Sequence, residues 1–218
     1  MPRYLDLETW PRRIHFDFFR GYDNPFFNIC TNVDVTALLN YTRAHSNISF
    51  FIAYHFLSIK AANEVEPFRY RLDGERVLIY ERIHAGTIIL LPDESFTFAY
   101  FDYDEDFEVF HTLAKATVER ALKGGPRLDE RESREDLIHH SVLPWFAFTS
   151  ISHARKFGQE DSVPKIAFGK YTFVGDRVMM PVSVQVHHAL MDGLHVARYF
   201  ERFEGYLADP LAALRLSE

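Results

Sequence analysis

The residues best suited to chemistry are two adjacent histidines in the run Gln185-Val186-His187-His188-Ala189-Leu190-Met191-Asp192-Gly193. An imidazole titrates near neutral pH, so a positioned histidine can take the proton of a hydroxyl that is otherwise a poor nucleophile. His188 falls where a strand-like apolar stretch ends and a helix is about to begin. Such a junction presents a side chain to a cleft while the scaffold fixes it. Four residues on, Asp192 has the chemistry to cap that helix, its carboxylate accepting backbone N–H groups, and Gly193 permits a tight turn beside it. The bare pattern His-x-x-x-Asp-Gly also describes a buried histidine with its hydrogen bonds met. A metal site from His188, Asp192 and His195 would need an unbroken helix starting at His188. Gly193 argues against one, so no metal is expected.

Several elements must position these residues. Val35–Arg43 and Phe50–Asn63 read as helices, the second apolar on nearly all sides and therefore buried. Phe68–Leu72 and Arg76–Tyr80 flank Asp73-Gly74, a strong hairpin signal. Thr87–Leu91 and Ser95–Phe101 read as strands joined around Pro92. Asp106–Leu122 reads as a helix, with acidic residues in its first turn and Gly124 past its end. The polar stretch Gly124–His140 reads as an exposed loop, and Ser141–Phe148 as a strand. Lys165–Phe173 and Val178–Val186 bracket a turn at Val174-Gly175-Asp176 and form a hairpin whose second arm leads into His187. From Leu194, Ala197, Phe200, Phe203 and Leu207 recur at helical spacing. Strands and helices in this order predict an α/β or α+β fold with a mixed, largely antiparallel sheet.

Composition bounds the partners. At 218 residues the chain suits a single domain spanning 1–218. A net charge of −7 without a Lys/Arg run gives no footprint for nucleic acid. The single cysteine, Cys30, excludes an internal disulfide and fits a buried thiol in a reducing compartment. The charged N-terminus does not read as a signal peptide, and no stretch is long enough to span a membrane, so a cytoplasmic location is expected. Aromatic residues at 16%, with 21 Phe, fit a Phe-rich core, an apolar ligand pocket or a subunit interface.

The wider run Pro181–Arg198 resembles the signature of the chloramphenicol acetyltransferase family. Other stretches agree in order: Trp10-Pro11-Arg12-Arg13-Ile14-His15-Phe16, Phe68-Arg69, Glu94-Ser95-Phe96, Leu143-Pro144-Trp145, Gly169-Lys170-Tyr171 and Gly175-Asp176. The resemblance spans nearly the whole chain and is loosest over Gly124–His140. It implies the two-layer α/β sandwich of CoA-dependent acyltransferases and acetyl-CoA as co-substrate. His188 would be the general base that lets a hydroxyl attack the thioester, and Ser141 would donate to the oxyanion. Asp192 would pair with Arg12, or failing that Arg13, to hold the turn. Tyr171, Trp145 and Lys170 would contact CoA. Phe18, Phe19 and Phe96 would stand near the acceptor, though each reads equally well as core. The resemblance further implies a homotrimer with sites between subunits, and a role in antibiotic resistance.

Three departures bear on the acceptor: Phe19 replaces a tyrosine, Ala167 a threonine that helps hold a water, and Met191 a cysteine. Chloramphenicol is the expected acceptor, with another hydroxyl compound as the alternative. Dihydrolipoamide acyltransferases share the His-x-x-x-Asp-Gly logic, but the Trp-x-Arg-Arg run argues against them. A non-catalytic trimer binding hydrophobic small molecules is the reading from another class, and retention of both His188 and Ser141 disfavours it.

Overall fold

The computed structural model describes residues 2–125, 134–155 and 160–215. Its elements in chain order are β1 (Arg3–Tyr4), α1 (Arg13–Phe19), β2 (Phe26–Asp34), α2 (Thr36–Ala44), α3 (Phe50–Glu64), β3 (Tyr70–Asp73), β4 (Arg76–Ile79), β5 (His84–Leu90) and β6 (Phe96–Phe101). They continue with α4 (Phe107–Gly124), β7 (Leu137–Leu143), β8 (Lys165–Gly169), β9 (Thr172–Val174), β10 (Arg177–His187), α5 (Gly193–Ala208) and α6 (Pro210–Leu214).

The main sheet has strand order β2-β10-β8-β7-β5-β6, with β9 also pairing β10; a small sheet has order β1-β4-β3. β5–β7 and β7–β8 pair in parallel and the remaining pairs are antiparallel. This is the mixed, largely antiparallel sheet expected. Its central strands are buried on both faces, and on one of them Val182, Val184 and Val186 of β10, Ile166 and Phe168 of β8 and Ile138 of β7 pack with α2, α3, α4 and α5 in one large core. α3 buries ten of its fifteen residues, as its all-round apolar sequence requires. A smaller cluster joins Phe16 of α1 to Tyr70, Leu72, Val77 and Ile79 of the small sheet, and to Ala189 and Leu190 of the turn after β10. That cluster docks the N-terminal segment against the His188 turn.

Several boundaries differ from the sequence expectation. α1 and β2 carry too weak a pattern to announce themselves: α1 buries Phe16 alone and lacks a side-chain cap, and β2 does not alternate cleanly. Phe68 and Arg69 belong to a 3-10 turn over Glu66–Arg69, opened by Pro67, and the strand begins at Tyr70. Within Gly124–His140, residues 126–133 lie outside the described residues. Leu137–His140 are not loop but the start of β7, which accordingly ends at Leu143, before Pro144, rather than running to Phe148. The arm Lys165–Phe173 is broken at Lys170-Tyr171, because the chain after β7 crosses it: Lys170 N–H donates to Phe146 O at 2.7 Å. Gly169 makes that crossing possible, since a Cβ there would sit 2.6 Å from Pro181 and 2.8 Å from the Phe146 carbonyl. In α5 the buried stripe is Val196, Tyr199, Phe200, Phe203 and Leu207, whereas Ala197 is exposed.

Candidate active site

β10 delivers the chain to the two histidines, and they face different surroundings. His187 is buried, and its Nδ1 accepts the Ala189 N–H at 3.2 Å. Burial first, and the nearby Arg155 second, push its pKa down to about 4, so it is a neutral part of the turn. His188 is half-buried. Its backbone N–H donates to Pro25 O at 2.7 Å, and its Nδ1 lies 3.2 Å from Met191 O. A carbonyl only accepts, so Nδ1 carries the proton and Nε2 presents the lone pair. Nε2 has no hydrogen-bond partner among the described residues. Phe19 stacks on the His188 ring at 3.8 Å and 9°, with Phe27 tilted against it at 4.6 Å.

Arg12 locks the turn that carries this ring. Its Nε pairs with Asp192 Oδ2 at 3.1 Å, and its two terminal nitrogens donate to Ala189 O at 3.1 Å and His188 O at 3.2 Å. Arg13 instead bridges to Asp17 at 2.7 Å on the surface, which decides between the two arginines. Asp192 caps α5, accepting the Leu194 N–H at 3.2 Å, while its own N–H donates to His195 Nδ1 at 3.1 Å. Partial burial works against the Asp192 charge, but His195 and Arg12 outweigh it and hold the carboxyl below the usual range. Gly193 is the first residue of α5, so His188 stands before the helix and not on its face. Met191 is buried in the main core.

Ser141 stands elsewhere. It lies in mid-β7, beside Ala167 of β8, which in turn pairs with Ser183 of β10. It lines two cavities at once. The larger, about 1080 Å³, also contains Trp145, Lys170, Tyr171 and Phe96, with Phe50 and Tyr54 in its wall. The smaller, about 250 Å³, holds Phe96 again together with His139, His153 and Lys165. Trp145 and Lys170 are exposed, and Tyr171 meets Phe50 edge-on at 6.0 Å. Thus all three residues expected at CoA share one cleft with Ser141.

The structure divides the expected site residues into two groups. Phe18 and Phe19 belong with His188, Arg12 and Asp192; Phe18 is 60% exposed and packs edge-on against Phe19 at 5.0 Å. His188 is five residues beyond Ser183 in β10, about 17 Å along a strand, and β10 lies two strands from β7, roughly 10 Å across. Within one chain the base and the Ser141 hydroxyl are therefore on the order of 20 Å apart by sheet geometry. Sequence reasoning missed Phe27, His153 and the α3 wall of the cleft. Only the pairing of β2 with β10 brings Phe27 to His188, and no local motif announces it.

The structure thus sets a half-buried histidine with an open Nε2 and a serine at the junction of two cavities on a two-layer fold. The same fold occurs in the cubic core of a pyruvate dehydrogenase multienzyme complex, at a TM-score of 0.67 and 18% identity over 87% of this chain and 84% of that one. A solved chloramphenicol acetyltransferase is nearer, at a TM-score of 0.84 and 28% identity over 95% of this chain and all of that one. The family model described as chloramphenicol acetyltransferase matches residues 3–204. Among relatives, the chloramphenicol acetyltransferase of Streptomyces acrimycini is 30% identical over 211 residues, 96% of each chain. Chloramphenicol acetyltransferase 3 of Escherichia coli is 28% identical over 201 residues, 92% of this chain and 94% of its own. The chain belongs to the chloramphenicol acetyltransferase family and is an acyltransferase.

Proposed function

We propose that this protein transfers the acetyl group of acetyl-CoA to a hydroxyl of chloramphenicol, with His188 as general base. The observation that carries this reading is the His188 tautomer: Met191 O holds the proton on Nδ1 and leaves Nε2 basic. Nε2 takes the acceptor's hydroxyl proton as the oxygen attacks the thioester carbon. The Ser141 hydroxyl donates to the resulting oxyanion. Collapse breaks the C–S bond, and the imidazolium returns its proton to the CoA thiolate, giving the ester, free CoA and neutral His188. Trp145, Tyr171 and Lys170 bind CoA along the larger cleft. Phe19 and Phe96 flank the acceptor from the two groups of residues. Asp192 and Arg12 position the base without reacting.

The separation of His188 from Ser141 within one chain supports a homotrimer in which one copy supplies the base and its neighbour supplies Ser141. The reading further takes residues 1–218 as one domain, working in the cytoplasm and conferring antibiotic resistance. Among the described residues no helix is long and apolar enough to cross a membrane.

Thiol release from acetyl-CoA tests the chemistry: it should require chloramphenicol. A mixing experiment tests the shared site. His188→Ala and Ser141→Ala subunits, each nearly inactive, are co-refolded. Regain of a substantial fraction of activity is expected, because mixed assemblies contain interfaces with both groups intact. No regain despite formation of mixed assemblies would sink the inter-subunit site.

A further inference from the structure

Beside Ser141 the main sheet comes apart on one side. β7 pairs with β5 only from Leu137 to His139, whereas its pairing with β8 runs on to Leu143. From His140 onward the strand is held by its ladder on the β8 side alone. Both cavities open on the other side, where Ile88 of β5 and Ser141 of β7 line each of them. A strand paired on one side only has half the ladder bonds that fix its position. Ser141 is the second residue past that point.

Side chains of α3 span the opening from the core. Thr87 of β5 and His140 of β7 stand level, each one residue past the paired Gly86 and His139. The His55 Nδ1–H donates to Phe51 O at 2.8 Å, so its Nε2 accepts the Thr87 hydroxyl at 3.0 Å. Three residues further along α3, Ser58 Oγ lies 3.1 Å from His140 Nε2 and 2.8 Å from the Tyr199 hydroxyl of α5. The His55 and His140 rings meet at 5.2 Å, and His140 lies parallel to Phe168 of β8 at 5.7 Å and 3°. Thr87, His55, Ser58, His140 and Tyr199 are each at most 2% exposed. Together they form a polar bracket from one parting strand to the other, inside an otherwise apolar core.

Such a bracket is not the cheapest way to fill a core. Each of its hydroxyls and imidazoles has to be stripped of water, and apolar residues of similar volume would avoid that cost. What a buried hydrogen-bonded network adds is rigidity and a single arrangement of the groups it joins. We infer that His140 and Ser58 are positioning residues for the reaction: they tie β7 to α3 where β5 has let go, and so aim the Ser141 hydroxyl at the oxyanion. The inference rests on the reading of Ser141 as the oxyanion donor. Adjacent residues of a strand send their side chains to opposite faces. Anchoring the His140 ring in the core therefore fixes the rotation of β7 about its own axis, and with it the direction of Ser141 on the cavity face. A donor to an oxyanion works only within a few tenths of an ångström of its proper distance, so a small rotation is felt in the rate.

A double-mutant cycle with Ser141 tests this. His140→Phe keeps a ring against Phe168 but loses the bond to Ser58, and Ser58→Ala breaks the same bond from α3. Each should lower kcat by about tenfold, with KM for acetyl-CoA and for chloramphenicol within about twofold of wild type, because a misaimed group loses transition-state contact and not binding. In a Ser141→Ala background the same changes should cost less than about twofold, since the hydroxyl they aim is gone. His140→Gln, which keeps a hydrogen-bonding group for Ser58, should retain part of the activity. Tyr199→Phe removes only the outer hydroxyl of the bracket. It should lower kcat about threefold with the same dependence on Ser141, the effect of one modest hydrogen bond. It decides the case if melting curves show that the larger changes prevent folding. Equal loss with and without the Ser141 hydroxyl would overturn this inference and leave the oxyanion reading standing. A loss confined to KM for acetyl-CoA would overturn it equally, because α3 would then act only as a wall of the cleft. If Ser141→Ala itself leaves kcat intact, the oxyanion reading falls and this inference falls with it.

Discussion

The turn at His188 and the sheet face around Ser141 are built on opposite plans. At the turn nearly every group is committed: Arg12 makes three contacts, Asp192 caps α5, His187 accepts a backbone N–H, and Phe19 fixes the plane of the His188 ring. His188 Nε2 is left over. At the Ser141 face the reverse holds: two cavities meet, and His153 and Gln185 keep buried atoms without partners. On the proposed mechanism, one region spends its own chain's hydrogen bonds to preorganise a base, and the other withholds them for what it binds. Preorganisation of a reacting group and adaptability toward a substrate are separate demands, and here they fall on separate parts of the molecule.

That contrast predicts different mutational signatures. The largest effect should come from His188→Ala, with kcat down by about 10³-fold or more, since general base catalysis is worth on the order of 10² to 10⁴. The melting temperature should hold, because the ring's polar contact is one long bond to Met191 O. Ser141→Ala should lower kcat by about 10²-fold with little change in either KM, as expected for a donor that acts on the oxyanion. Parallel steady-state kinetics and melting curves check both. A large KM effect at Ser141 with kcat intact would mean that it binds substrate instead.

Arg12→Ala and Asp192→Asn should act through position. Arg12 joins three points of the turn, but the Asp192 side chain is 36% exposed, so solvent weakens the ion pair. A stability loss of about 1–2 kcal/mol follows, a few degrees in melting temperature for a chain of this size. Activity should drop about 10- to 100-fold as the ring loses its placement. Equal unfolding of His188→Ala, Asp192→Asn and Arg12→Ala would erase the proposed distinction between a reacting residue and its supports.

These same supports show how much was legible beforehand. The chain around Asp192 announces itself, because a helix cap depends on neighbours in sequence: carboxylate, glycine, then an apolar helical stripe. α3 and the β3–β4 hairpin are legible for the same reason. Ser141 is legible as a residue of the family pattern and as part of a strand, but the bounds of that strand are not, since β7 borrows Leu137–His140 from a stretch that is polar in sequence. Those residues become strand through parallel pairing with β5 and β8, a non-local cause. The bracket from Thr87 to Tyr199 was invisible for a stronger reason. Its five members come from two strands and two helices and share nothing in sequence; only packing assembles them. Phe19 falls between these cases, expected near the acceptor and found stacked on His188.

The last effect is read in acid, and it bears on the core side of the sheet as well. His55 is buried against Thr87, with Nε2 to Oγ1 at 3.0 Å, and burial lowers its pKa to about 4, as it does for His139 and His187. His140, which meets Ser58 at 3.1 Å, is pushed well below its ordinary value by burial. In each case the unfolded chain binds a proton more readily than the folded one, so stability rises with pH across the interval between the two pKa values. Stability should therefore be full above about pH 6.5, the ordinary histidine value, and decline as pH falls toward 4. Asp192 contributes with the same sign, but only near and below its ordinary carboxylate range. Replacing His187 with Gln should flatten the slope of melting temperature against pH over that interval. An unchanged slope would show that His187 does not stand as a buried neutral support of the turn.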